Sequence, residues 1–310
     1  MSQVSQLKQV LESGRFAVTA ECGPPKGADP QMVLRKAEQL RGKVDGVNVT
    51  DNQTAIVRMS SLAACALIKS AGLEPVLQMV VRDRNRIALQ SDILGASALG
   101  IRNVLCLSGD HQCFGNQPQA VGVFDLDSTQ FLQVVRTMRD EGTILGGEPL
   151  SHPPQIFIGA AANPFADPLA FRVVRLAKKI AAGAEFIQTQ CIYNLDRFET
   201  WLKMANDKGL TEKAHILGGV TPLKSAGMAK YMKTKVAGMD VPDAVVQRME
   251  RVPKERQREE GMRICVETIE HLKALPGVKG VHIMAIEWEE AVGEIVERAG
   301  LLPRPTGNIQ

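Results

Sequence analysis

Short apolar runs alternate with segments whose apolar residues recur at helical spacing, and the alternation continues along the whole chain. The runs FAVTAEC (16–22), GVNVTD (46–51), PVLQMVV (75–81), NVLCLSG (103–109), QIFIGAAAN (155–163), FIQTQCIY (186–193), AHILGGV (214–220) and GVHIMAI (280–286) read as eight strands. The first intervening helix, DPQMVLRKAEQL (29–40), has Asp29 as a plausible N-cap and Pro30 in its first turn, and Met32, Leu34, Ala37 and Leu40 approximate an apolar stripe. Similar patterns occupy roughly 56–71, 84–99, 128–141, 167–182, 196–208, 223–235 and 257–274. Near-continuous apolar strands imply a parallel sheet covered on its outer face. Eight βα units predict an α/β protein, a single-domain (β/α)8 TIM barrel over residues 1–310. An open doubly wound sheet is the alternative, but no GxGxxG follows the first strand.

Two stretches exceed what a barrel requires. Residues 110–127, DHQCFGNQPQAVGVFDLD, form a long loop after the fourth strand, and a loop of this length in a compact domain is usually functional. Residues 236–257 carry charges of both signs at helical spacing. They read as an extra solvated helix, with a partner-docking surface as the alternative.

Composition changes the picture mainly by exclusion. The 45% hydrophobic residues suffice for a substantial core. A net charge of +3, from 37 basic and 34 acidic residues spread along the chain, gives no nucleic-acid footprint. No apolar run reaches the roughly 20 residues that span a bilayer, and the start MSQVSQLKQV lacks the regions of a signal peptide, so a soluble, cytoplasmic protein is expected. The six cysteines form no CxxC pair, so neither a zinc nor an iron–sulfur motif can be read, and they are expected to be mostly buried and reduced.

In a barrel of this kind the active site lies at the C-terminal strand ends. Those ends are polar: Glu21, Thr50 with Asp51 and Asn52, Gln78 with Arg82 and Asp83, Asp110 and His111, Asn163, Gln188 and Gln190, Thr221, and His282 with Glu287. Any one of them alone would be an ordinary loop or cap residue. A polar group from nearly every strand, above apolar strand bodies, reads as the rim of a site. There is no GxSxG, HExxH or P-loop, the five histidines are scattered, and lysines are scarce at the strand ends. Carboxylates and amides around a wide mouth suit a bound heterocycle and acid catalysis by a partly buried carboxyl group.

Seven motifs in order, AECGPP (20–25), NVTD (48–51), RDRN (82–85), LSGD (107–110), AAANP (160–164), AGAEFIQTQ (182–190) and GGVTPL (218–223), make the chain resemble the methylenetetrahydrofolate reductases over nearly its whole length. The resemblance implies a (β/α)8 flavoprotein, holding FAD or FMN, that passes a hydride to 5,10-methylenetetrahydrofolate to give 5-methyltetrahydrofolate. It implies that Glu21 protonates N10 of the folate and that Asp110 stabilises the resulting cation beside the flavin. Thr50, Arg82, Asp110, Asn163 and Lys179 fall at flavin positions, with Lys179 suited to a phosphate. Gln190, Met232 and Ile286 fall on the substrate side.

The better-known bacterial enzymes carry aromatic residues after the glutamine and a phenylalanine in the helix after strand seven, over which the nicotinamide dinucleotide folds. Here the corresponding residues are Cys191-Ile192-Tyr193 and, by spacing, Met232. A thioether stacks less specifically than a ring. In this the chain is more similar to the reductases of acetogenic bacteria, which implies an iron–sulfur partner subunit as electron donor. The oligomeric state is left open. Two alternative functions remain: a folate- or corrinoid-handling methyltransferase barrel without flavin, and a non-catalytic scaffold subunit, for which Glu21 and Asp110 would have no use.

Overall fold

The computed structural model describes residues 4–304. The first half of the chain runs α1 Gln6–Glu12, β1 Ala17–Cys22, α2 Pro30–Leu40, β2 Gly46–Val49, α3 Ser61–Ser70, β3 Pro75–Val80, α4 Arg86–Ala98 and β4 Asn103–Leu107. The second half runs α5 Ser128–Asp140, β5 Phe157–Ala162, α6 Leu169–Ala181, β6 Phe186–Cys191, α7 Leu195–Asn206, β7 His215–Val220, α8 Ala226–Lys235, α9 Asp243–Glu250, α10 Gln257–Ala274, β8 Val278–Ile283 and α11 Glu290–Arg298. The eight strands are all parallel and close into a barrel in sequence order. The predicted cap holds: Asp29 accepts from the Gln31 N–H at 2.9 Å, and Pro30 opens α2.

Side chains of a strand alternate between the two faces of the sheet. Val18, Ala20 and Cys22 of β1 join the apolar layer under the helices, whereas Ala17 belongs to a second cluster inside the barrel. That inner cluster combines Val76, Leu105, Phe157, Phe186 and Leu217 with Leu7, Val10 and Leu11 of α1, which therefore plugs the N-terminal end. The Phe157 and Phe186 rings stack at 4.9 Å, and Gly159 leaves them room, since a Cβ there would lie 2.1 Å from the Phe186 ring. One step up, the inward positions turn polar with Thr19, Asn48, Gln78, Gln188 and His282. The apolar floor and the polar mouth thus come from the same strands, read two residues apart.

Three elements differ from the sequence expectation. β8 is Val278–Ile283, not 280–286, so Ile286 lies in the loop beyond it and is 41% exposed. The plug α1 and the closing α11 were not predicted. α1 has only seven residues, too few for periodicity to show, and the Ser5 hydroxyl caps it by accepting from Lys8 N–H at 2.9 Å.

The loop 110–127 contains one 3-10 turn, Gln112–Phe114, and packs on the turn Gln53–Ala55. A Cβ on Gly115 would stand 1.9 Å from the Ala55 carbonyl oxygen. In the charged segment 236–257, α9 buries Val246 and Met249, while Lys230–Glu250 and Lys233–Asp243 ion pairs decorate its outer side. No helix among the described residues is long and apolar enough to cross a membrane.

Candidate functional site

A cavity of about 360 Å³ opens at the C-terminal end of the barrel. Glu21 lines it from β1, Ala161 and Asn163 from the end of β5, Gln188 and Gln190 from β6, and His282 and Met284 from the end of β8. Arg172, Arg175 and Lys179 of α6 close one side. Their spacing of three and four residues puts them on one helix face. Glu21 is the one carboxylate among the described residues that line the cavity, and its side chain is 11% exposed.

Local irregularity in β6 aims Gln190. Between Gln188 and Cys191 the register against β7 slips, so that β6 spends an extra residue. Bulges commonly redirect a side chain beside a site. The Thr189 hydroxyl accepts from the Gly219 N–H at 2.9 Å, and Gly219 permits this approach because a Cβ there would sit 2.2 Å from the Thr189 carbonyl. Gln190 Oε1 in turn accepts from the Cys191 N–H at 3.4 Å. Asn163 Oδ1 accepts from the Phe165 N–H at 2.9 Å, which leaves its Nδ2 beside the loop at Gly238.

The basic side of the cavity has its own electrostatics. Burial, and after it the neighbouring Arg175 guanidinium, pull the Lys179 ammonium down to about 8. Its Nζ donates to the Ala161 carbonyl at 2.6 Å. Cationic groups of this kind, on a cavity wall without a carboxylate of their own, suit an anionic ligand such as a phosphate. The thiols of Cys22 and Cys191 are pushed up to about 12 by burial, so neither is a ready nucleophile. Among the described residues no group of three or more His, Cys, Asp or Glu converges to hold a metal.

Of the residues singled out in the sequence, Glu21, Gln78, Asn163, Lys179, Gln188, Gln190 and His282 meet in this cavity. The others lie elsewhere. Thr50 follows β2, and its buried Oγ1 has no hydrogen-bond partner. Arg82 is buried and occupied: it bonds Asp83 at 2.6 and 2.7 Å, the Asp110 carbonyl at 3.0 Å and the Asn52 carbonyl at 3.3 Å. The hydrogen bond with Asp83 raises its guanidinium further above its usual range. Asp110 is exposed, and its Oδ2 accepts from the Thr54 N–H at 2.9 Å.

Met232 is buried against Cys191, Tyr193 and Leu223, its sulfur accepting from the Tyr193 hydroxyl at 3.4 Å. Sequence reasoning passed over Arg172, Arg175, Thr19 and Asn48. The arginines were legible as a helical repeat ending at Lys179. Thr19 and Asn48 were legible as polar residues in the middle of otherwise apolar strands.

The sequence profile of the family described as methylenetetrahydrofolate reductase matches residues 6–300. The chain belongs to the methylenetetrahydrofolate reductase family. Among relatives, it is 24% identical over 252 residues to a probable methylenetetrahydrofolate reductase (NADPH) of Caenorhabditis elegans, an alignment covering 79% of this chain and 35% of that one. It is 26% identical over 211 residues to methylenetetrahydrofolate reductase 1 of Schizosaccharomyces pombe, covering 67% of this chain and 32% of that one. The chain spans about a third of the length of these relatives.

Among solved structures, a protein from Clostridium thermocellum that binds two copies of 5-methyl-5,6,7,8-tetrahydrofolic acid matches with a TM-score of 0.66 at 14% identity, covering 94% of this chain and 99% of that one. Tryptophan synthase from M. tuberculosis matches with a TM-score of 0.52 at 12% identity, covering 96% and 100%. These likenesses show the barrel fold.

Proposed function

We propose that this chain binds a reduced folate in the barrel mouth and reduces 5,10-methylenetetrahydrofolate to 5-methyltetrahydrofolate. The observation that carries the reading is Glu21, a shielded carboxyl group that shares a cavity of about 360 Å³ with Gln190 and Asn163. Glu21 holds a proton and gives it to N10 of the folate. The bond from N10 to the bridging methylene then breaks, leaving a 5-iminium carbon that accepts a hydride. Gln190 and Asn163 orient the pterin, and the apolar walls Leu105, Leu107 and Met284 exclude water.

Flavin fits the residues present. The orphaned Thr50 hydroxyl offers an unused hydrogen-bonding group, and Arg172, Arg175 and Lys179 offer charge for a phosphate. When bound, flavin supplies the hydride that the iminium carbon accepts. Met232 is buried and presents no face to a nicotinamide, which argues against NADH as the direct donor; a separate iron–sulfur protein is the donor proposed in its place. Asp110 would act from outside the cavity, through the turn it holds.

A second reading, methyl transfer from 5-methyltetrahydrofolate without flavin, is favoured by the folate bound to the Clostridium thermocellum neighbour. Purified chain, loaded with FAD or FMN and reduced chemically, is mixed with methylenetetrahydrofolate while flavin absorbance is followed. Reoxidation that is slowed about a hundredfold or more in Glu21→Gln supports reduction. Failure to retain either flavin, together with tight 5-methyltetrahydrofolate binding, would leave methyl transfer as the function.

A further inference from the structure

At the base of the cavity, four buried polar side chains from four different strands form one connected chain. Asn48 Nδ2 donates to Gln188 Oε1 at 2.7 Å, and Gln188 Nε2 donates back to Asn48 Oδ1 at 3.0 Å. The second hydrogen of Gln188 Nε2 goes to Thr19 Oγ1 at 3.1 Å. Thr19 Oγ1 lies 2.9 Å from His282 Nδ1, its nearest partner for the hydroxyl hydrogen, the other being the Val281 carbonyl at 3.5 Å. An imidazole that accepts at Nδ1 carries its hydrogen on Nε2. Nε2 is the ring atom that faces Glu21, 3.8 Å from Oε1.

Packing does not require this chain. The layer beneath it is apolar and complete, and buried polar networks are costly unless every member is satisfied. The strand register places its members side by side: Thr19 is level with His282 across β1 and β8, and Glu21 with Asn48 across β1 and β2. The other titratable groups around this end of β1 are already committed. Cys22 and Cys191 are thiols held neutral by burial, and Lys36 is bonded to Glu289 at 2.5 Å and to the Gly23 carbonyl at 3.1 Å.

We propose that His282 is a positioning residue for Glu21, held by Thr19, Gln188 and Asn48 as the neutral Nε2–H tautomer so that this N–H receives the Glu21 carboxylate once its proton has left. The proposal rests on the reading of Glu21 as the acid. The proton lost by Glu21 goes to N10, His282 keeps its own, and no charge forms on the ring. A gap of 3.8 Å is longer than a hydrogen bond, and such contacts commonly tighten in the loaded complex.

The test has two arms. In the first, the full chain is labelled with 15N-histidine and examined by NMR without flavin or folate, the His282 signals being identified by their loss in His282→Gln. The Nε2–H pattern is expected near neutral pH, and Thr19→Val is expected to mix the tautomers. An Nδ1–H or mixed pattern in the unsubstituted protein overturns the proposal.

In the second arm, His282→Leu removes the donor while His282→Gln keeps an N–H near the Nε2 position. His282→Leu is expected to lower kcat about ten- to hundredfold with little change in the folate KM, the scale of one hydrogen bond to a charged group, and His282→Gln to recover most of it. Equal turnover in His282→Leu and the unsubstituted protein overturns the proposal. Glu21→Gln is run alongside. Full activity there would sink the acid role itself, whereas the tautomer measurement needs no activity, so the two failures are distinguishable.

Discussion

The backbone at Gly238 lies directly against the Asn163 amide: a Cβ at that position would stand 2.3 Å from Asn163 Nδ2 and 4.0 Å from Gln190 Nε2. The loop between α8 and α9 therefore packs against two residues of the cavity wall. Asp240 pins it, accepting from Asn194 Nδ2 at 3.0 Å and lying 3.6 Å from Arg197 Nη1.

Gly238→Ala should raise the folate KM more than it lowers kcat, because the added methyl displaces Asn163 or lifts the loop. Gly238 also has φ +81°, so the substitution should cost about 1–2 kcal/mol of stability from the left-handed backbone alone. Steady-state kinetics beside urea unfolding measure both. A KM equal to that of the unsubstituted protein would show that the loop yields freely.

Lys179 gives a pH dependence whose sign is fixed by its lowered value. Between about 8 and the ordinary 10.5, the unfolded chain holds a proton on this lysine that the folded chain does not, so stability rises with pH across that window. Below about 8 the penalty for the buried ammonium is fully present. Lys179→Met should therefore stabilise the ligand-free protein at pH 7 and flatten its stability profile between pH 8 and 10, read by urea unfolding.

The same lysine should make anion binding fall with pH. A bound phosphate favours the charged ammonium, so affinity for FMN should weaken as pH rises through about 8 in the unsubstituted protein. In Lys179→Met it should be weaker at pH 7 and nearly flat over the same range. Quenching of flavin fluorescence follows both titrations.

Asp110 holds a strained turn. Asn52, Thr54 and Ala55 all have positive φ, at 44°, 57° and 55°, and the carboxylate accepts from the Thr54 N–H. Asp110→Ala should destabilise the protein by about 0.5–1.5 kcal/mol, and Asp110→Asn, which keeps an acceptor oxygen, should restore most of that. Equal stability of the two variants in urea would remove this role.

Leu7 separates floor from mouth. It is fully buried beneath the inner layer, and Leu7→Ala should cost about 2–5 kcal/mol through the cavity it leaves. Folate binding by the protein that remains folded should be unchanged, which unfolding and binding titrations together decide.

The alternation of apolar runs and helical stripes fixed the barrel, because a parallel strand buried on both faces and a helix buried on one leave different periods in the sequence. It also placed Glu21, Asn163 and Gln190 at strand ends, and the structure brings them to one cavity. What linear order could not supply was distance around the ring. Arg82 and Asp110 sit at the right strand ends, yet loop geometry turns Arg82 toward its neighbour Asp83 and the two adjoining loops, and Asp110 toward a backbone N–H. Met232 occupies a helix whose sequence does not reveal which face is covered, and α9 and α10 cover it. The chain from Asn48 through Gln188 and Thr19 to His282 joins residues up to 263 positions apart. Only closure of the barrel, with the register of each neighbouring pair, makes them touch.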